Sequence, residues 1–130
     1  MKHEMFSDDI YGIKIDFVYG TMEEFNNYLQ KHYKNPPLEE ATGWCLSFLG
    51  KDGSGAVVIF INSRMTGIRD TVVHEIIHAG VFVYRAIGAK LDDSDGEHFS
   101  HYSEWLYKTC MGIINGRITF NGKKIQRRLK

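Results

Sequence analysis

The run HEIIH contains His74, Glu75 and His78, the residues of this chain whose types and spacing are best suited to chemistry. Four positions is close to one helical turn, so both imidazoles project from one side of a helix and can grip a single zinc ion. Glu75 follows His74 by one position and stands about 100° round the axis, beside the cation instead of beneath it. Bound zinc acidifies water and polarises carbonyl groups, and a carboxylate in that place can take the proton as water attacks. The pattern therefore points to hydrolysis with Glu75 as the catalytic base. The competing reading is that the three residues decorate the wet side of an amphipathic helix.

A helix long enough to carry the motif is expected from about Ile68 to Ile87, with Gly88 as its C-cap. Its core stripe reads as Val73, Ile76, Ile77, Gly80, Tyr84 and Ile87, centred roughly 130° from the histidines. Before it, Ile10 to Tyr19 alternates as a first strand, and Thr21 with Glu24 forms a capping box that opens a short helix to about Tyr33. Pro36 and Pro37 then force a loop. Trp44 to Leu49 and Ala56 to Ile61 read as two strands of a hairpin around the turn GKDGSG. After the acidic connection KLDDSDGE, a second helix carries Phe99, Tyr102, Leu106, Cys110 and Ile113 on one side and stops at Asn115 and Gly116. The ending RITFNGKKIQRRLK has an Asn121-Gly122 turn signal followed by a basic cluster, so 121–130 is either a terminal hairpin or a loose basic tail.

Catalytic zinc keeps three protein ligands and one open position, so another donor must come from outside the motif. Glu97, His98 and His101 all lie in DGEHFSHYSEW. Ser94 and Glu97 also fit a capping box, in which the carboxylate returns to a backbone amide and binds no metal. Tyr102, His101 and Arg85 are the candidates for stabilising an oxyanion, Arg85 falling on the histidine face two turns after His78.

The strand, the HEIIH helix and a later helix starting GEHFSH resemble the gluzincin branch of the zincin metallopeptidases. The resemblance covers roughly Ala56 to Met111. It implies a minimal α+β zincin-like domain, in which a small β-sheet packs against the active-site helix and a second helix bearing a ligand. It also implies that Glu97, nineteen residues beyond His78, is the third zinc ligand, with His98 and His101 as alternatives. The family commonly has an acidic residue four positions after that glutamate, where this chain has His101, which supplies no fixed negative charge to an imidazole ligand. The same segment is similar to small metallopeptidase-like proteins of phages and related bacterial elements. In zincins the strand before the metal helix commonly offers its edge to an extended peptide, a role that would fall here to Ala56–Ile61.

At 130 residues the chain fits one domain with a core of its own, and 43% apolar with 13% aromatic residues excludes a disordered polymer. Sixteen basic residues balance sixteen acidic ones, so bulk charge argues for neither nucleic acid nor an anionic membrane as partner. Cys45 and Cys110 lack zinc-ribbon or redox spacing and read as reduced core thiols. The N-terminus has no signal-peptide core, and no apolar run is long enough for a bilayer, so a cytoplasmic protein is expected. The expected activity is zinc-dependent peptide hydrolysis on a peptide or protein substrate. Two alternatives stand beside it: a zinc-stabilised, non-catalytic binding module with a fourth protein ligand, and an SprT-like protease of DNA-associated proteins anchored by Lys123, Lys124, Arg127, Arg128 and Lys130.

Overall fold

The four strands of one sheet are rich in β-branched and aromatic residues, and one helix between the strands and two after them cover its two faces. The computed structural model describes residues 1–89, 96–121 and 124–127. Strands β1 (Lys2–Ser7), β2 (Lys14–Gly20), β3 (Gly43–Ser47) and β4 (Ala56–Asn62) lie in the order β1-β2-β4-β3. β1 is antiparallel to β2, β2 parallel to β4, and β3 antiparallel to β4. Helix α1 (Met22–Tyr33) covers one face, and α2 (Ile68–Ile87) and α3 (Gly96–Ile114) cover the other. A two-stranded hairpin of β5 (Ile118–Asn121) and β6 (Lys124–Arg127) follows α3. The class is α+β, as the order of elements in the sequence suggests. The acidic connection at 90–95, Ser94 of the possible capping box, and Lys123, Arg128 and Lys130 lie outside the described residues.

Because both faces are covered, all seven residues of β4 are buried. Val57, Ile59 and Ile61 join Ile15 and Phe17 against α2 and α3, whereas Val58, Phe60 and Val18 meet Phe25 and Leu29 of α1. The Phe25 and Phe60 rings stack at 4.1 Å. β4 is hydrogen-bonded on both sides, so it has no free edge, and the role that the resemblance gave to Ala56–Ile61 cannot belong to it. The outer strand beside it is β3.

Three expectations need correction. The chain has a strand before the expected first one: Lys2–Ser7 forms β1, Ile10 lies in the intervening turn, and the second strand begins at Lys14. Asp8 organises that turn, its carboxylate accepting the amides of Ile10, Tyr11, Gly12 and Ile13. On α2, Val73, Ile77 and Ile87 are 43%, 46% and 38% exposed, and the buried face consists of Val72, Glu75, Ile76, Ala79, Gly80, Val83 and Tyr84. Apolar residues surround most of this helix, so composition does not set its rotation. The rotation follows instead from small residues that allow close approach, Ala79 in the core and Gly80 under the Phe99 ring. Measured from the true buried face, the histidines point almost directly away from the core. The third correction is the loss of the edge role for β4.

On the α1 side, Asp16 is fully buried and accepts hydrogen bonds from Tyr28 and Tyr33, both at 2.5 Å, while His3 Nε2 lies 2.6 Å from its other oxygen. The His3 pKa is raised chiefly by this hydrogen bond to Asp16, helped by the charges of Asp16 and Glu4 and opposed by burial. A pKa raised on folding adds stability that is fully present below the unfolded value of about 6.5 and is lost as pH rises through the folded value. Urea unfolding of the wild type and His3→Gln between mildly acidic and mildly alkaline pH should therefore show the wild-type advantage shrinking as pH rises. A constant difference would mean that the pair contributes no proton linkage.

Candidate metal centre

Helix α2 runs from Ile68 to Ile87 and ends at Gly88, whose φ of 77° and amide bonds to Arg85 and Tyr84 close the last turn. This rigid element displays His74 and His78 one turn apart on its exposed side. Their Nε2 atoms are 3.2 Å apart, and the rings meet edge to face at 4.8 Å. Two bonds of about 2.05 Å opening at about 103° span this distance, close to the tetrahedral angle of zinc. At this distance a proton on one nitrogen can bridge to the other, and where both are unprotonated a shared cation would take the proton's place. The pair suits a divalent cation in both spacing and donor type.

Glu75 is turned the other way round the axis and is only 5% exposed. One of its oxygens and one nitrogen from each histidine all lie within 4.8 Å of one another. Burial raises the Glu75 pKa, and positive charge on His74 and His78 opposes the shift. The carboxylate thus sits beside the histidine pair at a distance that leaves room for one water between base and cation.

No family model, curated protein or solved structure matches the chain.

The other residues singled out in the sequence are dispersed. Among the described residues, the cluster able to hold a cation consists of His74, Glu75 and His78. Glu97 is exposed and its carboxylate pairs with His101 at 3.0 Å, within α3. His98 is exposed on the same turn. The start of α3 is anchored by Phe99 over Gly80, which lies on the buried face of α2, about 200° round the axis from His78. Tyr102 is 1% exposed, with its hydroxyl 3.3 Å from Asp8, so that hydroxyl is directed into the core network and not toward the histidine face. Arg85 is exposed on α2. No helix among the described residues is long and apolar enough to cross a membrane.

The strand Trp44 to Leu49 is expected from the sequence, but sequence reasoning missed that the first residue of β3, Gly43, lies against Glu75. At the start of β3, an added Cβ on Gly43 would lie 2.9 Å from Glu75 Oε2, 2.8 Å from the Phe60 carbonyl oxygen and 2.8 Å from Thr71 Cγ2. Cys45, two residues on, has its pKa raised by burial first and by the Glu75 charge second, which puts it on the same flank. Glycine at 43 is thus what lets the outer strand approach the carboxylate. Gly43→Ala is expected to cost about 1–3 kcal/mol by overpacking, because the Phe60 carbonyl is fixed in the sheet, and to displace Glu75. Denaturant midpoints should fall while zinc affinity stays within a fewfold of wild type. Wild-type stability in this variant would show that the contact is relieved without strain. The only signal in the sequence was a glycine opening a strand that is otherwise aromatic and apolar.

Proposed function

We propose that the chain is a zinc-dependent peptidase of zincin type, with His74 and His78 as metal ligands and Glu75 as general base. The observation that carries this reading is the 3.2 Å separation of the two Nε2 atoms on an exposed helix face, beside a buried carboxylate. Zinc held there would supply Lewis acidity to a peptide carbonyl and lower the pKa of water. Glu75 accepts the proton of the attacking water and returns it to the leaving amine. Its burial holds the carboxylate in one orientation, so little reorganisation precedes proton transfer. The Nε2 atoms of His74 and His78 would hold the cation, and the exposed face leaves room for an extended peptide.

Glu97 is the third ligand in this reading. It stands on the first turn of α3 with an exposed side chain, which would have to leave His101 and be carried to the histidine pair to complete the site.

The test is metal analysis of the purified protein together with hydrolysis of an unfolded protein substrate, before and after chelation. One equivalent of zinc, and hydrolysis that disappears with chelator and returns with zinc, would support the proposal. Stoichiometric zinc without hydrolysis would overturn the peptidase assignment, and absence of zinc binding would overturn the metal centre.

A further inference from the structure

Away from the histidines, two depressions of about 540 and 560 Å³ meet where the first turn of α2 packs beside the end of α3. They share Arg69, Met111 and Asn115, so they form one groove. Trp105, Tyr107 and Ile118 give the groove an apolar lining, and Arg69, Lys108 and Arg117 give it positive charge. Among the described residues neither Arg69 nor Arg117 forms an ion pair, whereas Lys108 is already paired with Glu104 at 2.8 Å. In a chain with no net charge, two guanidiniums without carboxylate partners on one apolar groove are a local excess.

We infer that this groove is a docking site for an acidic, apolar segment of the polypeptide substrate, outside the metal centre; the inference rests on the peptidase reading. Two features select a peptide over a nucleic-acid strand. Asp70 lines the groove and Glu104 neutralises Lys108, so the two arginines offer separate places for single carboxylates, whereas a continuous phosphate backbone would also run against the Asp70 and Glu104 carboxylates, which repel it. The lining also contains methionine, isoleucine and tryptophan surface suited to aliphatic or aromatic side chains. Guanidinium groups bind carboxylates through paired N–H donors, which ties recognition to the acid and not to charge alone.

The groove also connects with the catalytic face. Arg69, Val73 and Ile77 form an i, i+4 row on α2 that drifts about 40° per step toward the side bearing His74. Val73 and Ile77 are the exposed apolar residues of that row, 43% and 46% accessible. A chain seated on Arg69 and Arg117 can thus continue over an apolar ridge to the histidine pair.

The experiment measures fluorescence anisotropy of a labelled short peptide rich in leucine and phenylalanine with a pair of aspartates, against its asparagine twin. Both are bound to the full chain carrying Glu75→Gln, so that cleavage does not intrude. The aspartate peptide should bind about tenfold tighter at low salt, and Arg69→Gln with Arg117→Gln should abolish that preference. Both arginines are exposed, so an unchanged unfolding midpoint checks that the fold is intact. Equal affinity for the twins, a preference that survives the double substitution, or stronger displacement by a single-stranded oligonucleotide than by unlabelled peptide would overturn the docking site. An intact preference in a protein whose wild type hydrolyses nothing would sink the peptidase reading alone.

Discussion

Replacing Glu75 by glutamine should leave zinc bound and lower peptide hydrolysis by about 10²–10⁴-fold, the usual contribution of a positioned proton acceptor. Glutamine keeps the size and one oxygen of the side chain but has no basic oxygen able to take a proton. Its amide would occupy the same buried space beside Gly43 and Thr71, so the fold should persist. Burial raises the Glu75 pKa and so disfavours its charged form; the neutral glutamine carries no such penalty, which predicts a variant at least as stable as wild type near neutral pH in the metal-free form. Zinc content, turnover and the unfolding midpoint together decide the matter. Loss of zinc in this variant would make Glu75 a ligand, and unchanged turnover would remove it from the reaction.

His78→Ala, or His74→Ala, should weaken zinc binding by more than about 100-fold, beyond the effect of losing a group that merely orients a ligand. In the proposed centre the two rings would act as one chelate, and with either removed the other is a solitary exposed imidazole. Both project from the exposed side of α2, and the core of Val72, Ile76, Ala79 and Val83 is complete without them. The metal-free protein should therefore keep its unfolding midpoint within a few degrees of metal-free wild type. This distinguishes a catalytic cation from one that organises the fold, because a protein that needs zinc to fold would collapse on chelation. Isothermal titration with zinc and thermal unfolding in chelator are the measurements. Unaltered zinc affinity in both variants would place the cation elsewhere.

The helices were legible because their signals are local. Thr21 and Glu24 form the capping box seen at the start of α1, Gly88 ends α2, and HEIIH falls on the expected helix. The β3 and β4 pairing was legible for the same reason, since a turn joins two apolar runs. What failed depends on tertiary contacts. KHEMFS carries too little alternation to announce β1, which is held by its register with β2 and by His3 on buried Asp16. The rotation of α2 was misjudged because Val73 and Ile77 are as apolar as Val72 and Ile76, and only packing separates them. The position of β4 in the sheet was hidden because its neighbour β2 is distant in the chain. At the candidate metal centre, the histidine pair and Glu75 follow from spacing alone, but Gly43 comes from a strand about thirty residues earlier, which no periodicity could connect to the motif.

The β2–β4 pairing also bears on how the molecule is made. Lys14 is in register with Ala56, so the central parallel ladder closes across forty-two positions, and no hairpin can form it. Closing such a separation costs chain entropy before any contact repays it, which slows assembly. During synthesis, a nascent chain that has not yet exposed β4 to solvent holds Phe17 and Phe25 without the strand that covers them. Such a chain is sticky, and the interval before β4 leaves the ribosome is when chaperones would matter most.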